Sequence, residues 1–219
     1  MAEADDTRLT ISREAARLFL RQGVAETNGD AIAAAAGVST RTVWRHFRNK
    51  ENCIGPVLVT SIQRFARIME AWPLDMALED HLRIALPIDN EPSQLIADGI
   101  LAVQLVALCA EEADIRAVWL DAYHAVEIQL QSVVARRANR STLDFEVRLC
   151  ASTIVAAIRT VDEAVSVAAV NGDRDYSPAD LVAVLAGAIR SAATLPICDP
   201  VARDIFHLSP GRAAPIRAE

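Results

Sequence analysis

Four basic side chains and two aromatic rings lie close together in the segment GVSTRTVWRHFRNK, residues 37–50. No acidic residue interrupts its basic residues, which are Arg41, Arg45, Arg48 and Lys50. Guanidinium and ammonium groups pair with phosphate oxygens, and arginine also pairs with the edge of guanine through two parallel hydrogen bonds. The chemistry that this segment favours is therefore the binding of a polyanion, with nucleic acid as the first candidate.

The rest of the chain is acidic. The 219 residues carry a formal net charge of -7. Residues 8–50 contain eight basic residues against three acidic ones, whereas residues 51–219 contain 14 basic residues against 23 acidic ones. A basic N-terminal unit joined to an acidic body indicates a polyanion-binding module attached to a larger part with another role.

The composition favours an all-α protein. Hydrophobic residues make up 52% of the chain and aromatic residues 5%, with alanine frequent, a mixture that supports helices better than sheets. No window reaches the roughly 18 consecutive apolar residues that a membrane span needs. The N-terminus also lacks a signal-peptide pattern. We therefore expect a cytoplasmic protein without a membrane partner.

Metal, redox and catalytic chemistry find little support in the sequence. The four cysteines are scattered, without the CxxC or Cys/His spacing of metal sites. We interpret them as buried reduced thiols, with a redox-sensing thiol as the alternative. Because no nucleophile motif, phosphate loop or GxGxxG is present, we predict no catalytic residue, no metal site and no cofactor.

Helical periodicity predicts about nine helices. They cover residues 9–22, 30–36, 40–47, 50–72, 74–86, 94–112, 114–138, 143–170 and 179–195. Ser12 is a possible cap of the first helix, and Pro73 should end the fourth. The final stretch PGRAAPIRAE is interpreted as a mobile tail.

The second and third helices predict a helix-turn-helix unit with Gly37 at its turn. On a helical wheel Val43 and Phe47 share a face that can pack on the preceding helices, whereas the arginines and Trp44 lie on another. A cationic helix of this width fits the major groove of DNA. A solvated charged face without a partner is the alternative. The predicted DNA-binding residues are Ser39, Thr40, Arg41, Thr42, Trp44, Arg45, His46 and Lys50.

The segment ETNGDAIAAAAGVSTRTVWRHFRNKENCI resembles the DNA-binding signature of TetR-family transcriptional regulators. The family pattern is met by Ile32, Ala33, Ala36, Gly37, Val38, Ser39, Thr42, Phe47 and Lys50. Asn28, Trp44 and Ile54 stand where the family usually has Thr, Tyr and Leu. The resemblance covers residues 9–54, and the remaining helices match the family in number and length alone.

The resemblance implies a DNA-binding three-helix bundle over residues 1–50 and a helical effector-binding and dimerisation domain over residues 51–219. The helix 50–72 would link the two. It implies a homodimeric repressor that binds a palindromic double-stranded DNA operator, and an unknown small-molecule effector whose binding releases the DNA. Two-fold protein symmetry agrees with a palindromic site.

The expected dimer forms through helices 143–170 and 179–195. Their apolar rows are Val147, Cys150, Ile154, Ile158, Val161, Val165 and Ala168 in the first helix, and Leu181, Val184, Leu185, Ala188, Ala192 and Leu195 in the second. Pairing these helices with their symmetry mates would give a four-helix interface. The alternative is that the rows form the core of a single chain.

The effector pocket is harder to predict. The candidate lining residues are Met69, Trp72, Gln104, Trp119, Tyr123 and Arg159, with Asp162 as a further polar anchor and His124 as a further ligand. Gln104 is the least routine of them, because an amide inside an apolar helix needs a partner. Trp119 and Tyr123 are four residues apart, and core packing is the favoured explanation of both.

Two other classes of function compete with a regulator. An enzyme would need paired catalytic groups, and adjacent carboxylates such as Asp162 and Glu163 face different ways on a helix. An interaction module that has kept the fold without binding DNA would not need Arg41, Arg45 and Lys50. A steep fall of DNA affinity with salt would separate a regulator from both.

Overall fold

The computed structural model describes residues 2–87 and 91–201, with side chains from residue 6 onward. All regular secondary structure in these residues is helical, which confirms the predicted all-α class. The helices are α1 (Ala2–Gln22), α2 (Gly29–Ala36), α3 (Thr40–His46), α4 (Gly55–Glu70), α5 (Leu78–Ala85), α6 (Ser93–Leu108), α7 (Ala113–Ala138), α8 (Phe145–Asn171) and α9 (Pro178–Ala192). None of these helices combines the length and the apolar character that a bilayer span requires. The predicted tail, residues 210–219, lies outside the described residues.

The turn between α2 and α3 forms for local reasons that the sequence predicts. The side chain of Asn28 accepts a hydrogen bond from the Ala31 amide at 2.9 Å, and Ser39 accepts one from the Thr42 amide at 3.1 Å. Gly37 ends α2 with a φ of 67°, a left-handed conformation that glycine adopts without strain. The two short helices are therefore fixed by their own caps.

The first helix begins earlier than predicted, and the expected cap at Ser12 is wrong. Ser12 lies inside α1 and is fully buried. Its hydroxyl oxygen accepts a hydrogen bond from the amide of Val57, at 3.1 Å. Because the first amides of a helix lack partners within it, this contact supplies α4 with a cap from another helix.

The helix predicted over residues 50–72 is broken near its start. A 3₁₀ turn, Glu51–Ile54, comes first, and α4 then begins with Pro56 in its first turn. Proline suits that position because its missing N–H would have no partner there. The helix predicted from residue 74 begins only at Leu78. Before it, the carbonyl groups of Pro73 and Met76 accept hydrogen bonds from Arg137, and that of Met76 also accepts one from the Trp72 indole.

Three helices form a small N-terminal bundle, and the others pack into a larger body. Helix α2 packs on α1 and on α3, while α1 also contacts α4 and α6. In the larger part α4 and α8 both pack on α6 and α7, and α9 packs on α5 and α8. Contacts of α1 with α4 and α6 therefore connect the N-terminal bundle to the rest of the chain.

The apolar row predicted on α8 for dimerisation is mostly core. Val147, Cys150, Ile154 and Ile158 are all buried within the chain. Helices α6, α7 and α9 all pack on α8. These four residues therefore follow the alternative interpretation, in which the row is part of the core of a single chain. The most apolar face of a long helix usually packs against its own chain.

The cysteines behave as the sequence predicts. All four are buried free thiols. Burial raises the pKa of Cys53 and of Cys109 to about 12. Since the thiolate is the reactive form, these two side chains are poor nucleophiles at neutral pH.

Candidate nucleic-acid interface and ligand cavity

The third helix has one buried and one exposed face, as the wheel predicts. Val43 is fully buried and Phe47 is 6% exposed. Arg8 of α1 closes over Phe47, with its guanidinium carbon 5.7 Å from the ring centroid. These contacts fix the rotation of α3 about its own axis.

The opposite face of α3 carries free positive charge. Arg41, Arg45 and Arg48 are exposed, and among the described residues no carboxylate lies within ion-pair distance of them. A terminal nitrogen of Arg45 lies 3.5 Å from Nε2 of His46. Since the acids of the chain leave these guanidiniums unpaired, they can pair with phosphates or base edges.

The hydroxyl groups at the start of α3 are held by an internal network. The Ser39 and Thr42 hydroxyl oxygens lie 2.9 Å apart. The Thr40 hydroxyl donates to a carboxylate oxygen of Asp30 at 2.7 Å, which ties α3 to α2. A DNA contact by Thr40 would therefore compete with Asp30.

Lys50 has a structural role that the sequence analysis missed. Its ammonium donates to the carbonyl of Val24 at 2.6 Å and to that of Ala25 at 3.3 Å. These carbonyls belong to the loop between α1 and α2, which the lysine holds against the end of the α3 segment. Two of its three N–H donors are occupied, so one remains for a phosphate.

Trp44 lies across Gly29, and this contact depends on the absence of a side chain at residue 29. A Cβ added at Gly29 would overlap the six-membered part of the indole. Trp44 is 43% exposed, so its other side is free. The glycine therefore seats the indole on the first turn of α2, beside the arginine face.

Gly29→Ala is expected to lower the free energy of unfolding by about 1–3 kcal/mol, because the indole must leave its seat. Urea unfolding of the full chain measures this effect. Gly99→Ala is the control: a Cβ there meets nothing within 4 Å, so a gain of about 0.5–1 kcal/mol is expected. The double variant with Trp44→Ala should recover stability relative to Gly29→Ala; a double variant that is no more stable would contradict the clash.

A cavity lies among the long helices and has two adjoining lobes. The first, of about 480 Å³, is enclosed by α4, α7, α8 and α9. The second, of about 720 Å³, is enclosed by α4, α6, α8 and α9. The lobes share Ser61, Arg64, Phe65, Leu86, Asp162 and Leu181. Small-molecule sites have volumes of about 300–1,000 Å³ and mostly apolar walls, as these lobes do.

Asp162 of α8 is the carboxylate at the junction of the lobes. Its Oδ2 accepts hydrogen bonds from the Tyr123 hydroxyl at 2.8 Å and from the Trp119 indole at 3.3 Å. Burial raises the pKa of Asp162 above its ordinary value, an effect that the two hydrogen bonds oppose only in part. Burial and the neighbouring Asp162 likewise raise the pKa of Tyr123.

Known proteins resemble this chain in sequence. The helix-turn-helix transcriptional regulator TcmR of Streptomyces glaucescens is 27% identical over 164 residues, which are 73% of this chain and 71% of TcmR. The family model for bacterial regulatory proteins of the tetR family matches residues 11–55, from α1 to the start of α4. Residues 11–55 therefore match the tetR family of bacterial regulatory proteins.

Solved structures agree in fold. A protein from Mesorhizobium loti classed as a TetR-family transcriptional regulator superposes with a TM-score of 0.52 at 20% identity, over 86% of this chain and 96% of that one. The regulator FadR of Bacillus subtilis, in complex with stearoyl-CoA, gives a TM-score of 0.52 at 17% identity, over 85% and 97%. The chain therefore shares its overall fold with these two proteins.

The predicted effector-binding residues separate into two groups. Tyr123 lines the first lobe, Gln104 lines the exposed edge of the second, and Trp119 borders a small void that also touches Asp162. The other three line neither lobe. Arg159 lies over the ring of Trp119, 6.0 Å from its centroid.

Met69 and Trp72 are core residues near the end of α4. Both are buried. The centroid of the Trp72 ring lies 3.5 Å from the Arg137 guanidinium carbon and 6.2 Å from the centroid of the His81 ring. Both residues were predicted to line the pocket, and neither lines either lobe. His124 is exposed and faces Glu127, with 3.7 Å between Nδ1 and Oε2. Sequence reasoning missed Ser61, Arg64, Phe65 and Tyr176, whose role depends on how α4 and the segment before α9 meet.

Proposed function

We propose that this chain is a dimeric repressor that binds a palindromic operator and releases it when a small-molecule effector binds. The observation that carries the proposal is the arginine face of α3, which the chain's own acids leave unpaired. The residues that would contact DNA are those predicted from the sequence, with Arg41 nearest to the base edges and Arg45 and Lys50 near phosphates. Arg48, exposed on the same face, is added to them. The proposed division into residues 1–50 and residues 51–219 assigns DNA to the first part and effector and partner chain to the second.

The proposed dimer still uses α8 and α9, but on α8 it uses another face than the predicted row, while on α9 it keeps Val184 of that row. Phe145, Leu149 and Val184 are 73%, 43% and 37% exposed. Small residues continue the exposed faces between them, including Ala156 and Gly187. Small side chains let helices approach closely, which suits a four-helix interface between two copies.

The ion pair between Arg13 of α1 and Asp98 of α6 supports a coupling of the two sites. The two nitrogens of the guanidinium lie 2.7 Å and 2.8 Å from the two carboxylate oxygens. Helix α6 also supplies Val103 and Gln104 to the wall of the second lobe. A ligand that moves α6 would therefore move α1, and with it the DNA-binding bundle.

Footprinting of the purified chain on DNA that flanks its own coding region tests the proposed function directly. A protected site with two-fold symmetry is expected. The affinity for that site should fall by orders of magnitude between about 50 and 200 mM salt, if six to ten phosphates are contacted. A DNA affinity that does not change with salt concentration, or no binding to any DNA, would contradict the proposed function.

Arg41→Ala is expected to weaken binding to that operator by about 1–3 kcal/mol and to relax its sequence preference, if Arg41 contacts a base. Gel-shift titration of operator and scrambled DNA measures both effects. The matched control is Arg83→Ala, which removes the same charge from an exposed residue of α5 that pairs with Asp80. Equal affinities for wild type and Arg41→Ala would remove Arg41 from the interface.

A further inference from the structure

One oxygen of Asp162 is open to the cavity. Both hydrogen bonds to the carboxylate, from Tyr123 and Trp119, end on Oδ2. Among the described residues no donor lies within hydrogen-bond distance of Oδ1. The carboxylate is therefore held by two aromatic donors at one oxygen, its second oxygen has no such partner, and the residue lines both lobes.

The cations near the cavity are already paired, so they do not neutralise Asp162. Arg64 donates to Glu91 at 2.9 Å and to the carbonyl of Leu86 at 3.1 Å. Arg174, close to the lining residue Tyr176, lies 3.8 Å from Asp180.

Two further charges lie on α8 beside Asp162. Arg159 is one turn earlier, but it faces the ring of Trp119 and forms no ion pair with Asp162 in the described structure. Glu163 is the next residue, and its negative charge acts in the same direction as the burial that disfavours ionised Asp162. A positive charge placed at Oδ1 would relieve both effects.

The walls around this oxygen suit the rest of such a ligand. Phe65, Ile158 and Leu185 supply apolar surface, and the rings of Tyr123 and Tyr176 also line the first lobe. Aromatic rings attract cations through their faces. A carboxylate in an apolar, aromatic cavity is a recognition site for a charged nitrogen on a hydrophobic body.

We propose that the effector is a hydrophobic cation, an amine or ammonium compound whose nitrogen binds Oδ1 of Asp162 and whose apolar part fills the lobes. This inference rests on the proposed function, since it names the ligand class of the same cavity. It assigns Asp162 as the anchoring residue and Tyr123 and Trp119 as the residues that position it.

Three probes with one tail and different head groups test the proposal on the full chain. Decylammonium, 1-decanol and decanoate are titrated by calorimetry below the concentrations at which they form micelles. Wild type is expected to bind decylammonium about tenfold or more tightly than decanol, and decanoate most weakly. Equal binding of the three probes, preference for decanoate, or no binding of decylammonium would overturn the proposal without any variant.

Asp162→Asn keeps an oxygen that can accept from Tyr123 and Trp119 but removes the charge. Its affinity for decylammonium is expected to fall about tenfold, whereas its affinity for decanol should change less than about threefold. Glu163→Gln is the matched control, because it removes an adjacent charge that lines neither lobe. If Asp162→Asn and Glu163→Gln lose the preference for decylammonium over decanol equally, the preference comes from the overall negative charge near the cavity, and Asp162 is not the anchor.

The outcome is separable from that of the proposed function. Operator footprinting requires no ligand, so a chain that binds its operator but prefers decanoate would remain a regulator with a different effector class. A chain that prefers decylammonium through Asp162 but binds no DNA would keep the ligand site and lose the repressor role.

Discussion

Arg137→Met is expected to lower the free energy of unfolding by about 3–5 kcal/mol, the range observed when one partner of a buried charged contact is removed. Arg137 of α7 is 2% exposed. Its guanidinium donates to the carbonyls of Ile197 and Pro73, both at 2.6 Å, and to those of Asp199 and Met76 at 2.8 Å and 3.2 Å. One side chain therefore joins α7 to the segment after α4 and to the segment after α9.

The size of this effect follows from the acceptors, which are backbone groups. Apolar replacement of a whole buried ion pair is often tolerated, because no unpaired group remains. Here a substitution at Arg137 cannot remove the carbonyls, and each buried carbonyl left without a donor costs about 1–3 kcal/mol. The cation also has a cost, since burial lowers the pKa of Arg137 to about 10. The group remains charged at neutral pH, stacked on Trp72 and solvated by the chain itself.

Urea unfolding followed by far-ultraviolet circular dichroism measures the change. Arg137→Lys should fall between wild type and Arg137→Met, because an ammonium keeps the charge but has fewer donors and no planar face. Arg148→Ala, at an exposed position of α8, should change stability by less than about 0.5 kcal/mol. A loss below about 1 kcal/mol in Arg137→Met would show that the carbonyls find other donors.

Arg137 and Ser39 show which contacts can be predicted from the sequence and which cannot. Ser39 and Gly37 act on residues three or four positions away, so the turn and the faces of α3 can be deduced from spacing alone. Arg137 acts on residues about 60 positions away, and no local pattern signals such a contact. An arginine near the end of a helix is equally consistent with a solvated side chain.

The cavity shows the same limit. Gln104 was predicted from its unusual place in an apolar helix and Tyr123 as an aromatic candidate, and both line it. Trp72 was another aromatic candidate, but it lies in the core. An aromatic residue in an apolar helix is equally consistent with a place in the core and with a place in a cavity wall. Arg64 is on α4 and meets Glu91 across the lobes, a pairing set by how the helices pack.

Asp98→Asn is expected to lower the free energy of unfolding by about 2–4 kcal/mol at neutral pH, because it leaves Arg13 without its counter-charge between α1 and α6. The Asp98 side chain is 4% exposed and that of Arg13 is 18% exposed. Gln94 also donates to the carboxylate at 2.9 Å. The Asp80–Arg83 pair is the control: its side chains are 57% and 66% exposed, so Asp80→Asn should cost less than about 1 kcal/mol.

The pH dependence of the free energy of unfolding distinguishes the contribution of the Asp98 charge from that of its packing. Burial raises the pKa of Asp98, but the hydrogen bonds and charge of Arg13, with the bond from Gln94, outweigh it, so the pKa lies below its ordinary value of 3.8. A carboxylate with a lowered pKa stabilises the fold above its unfolded-state pKa and loses that contribution as the pH falls through the folded-state pKa.

Urea unfolding of both proteins between pH 7 and pH 3 tests this. The difference between wild type and Asp98→Asn should be constant down to about pH 5 and shrink below about pH 4, where wild type loses the ionised partner of Arg13. A difference that stays constant to pH 3 would mean that the amide introduced by the substitution disturbs packing rather than charge. In that case the junction of α1 and α6 would depend on shape, and the ion pair would contribute little to holding the DNA-binding bundle against the wall of the cavity.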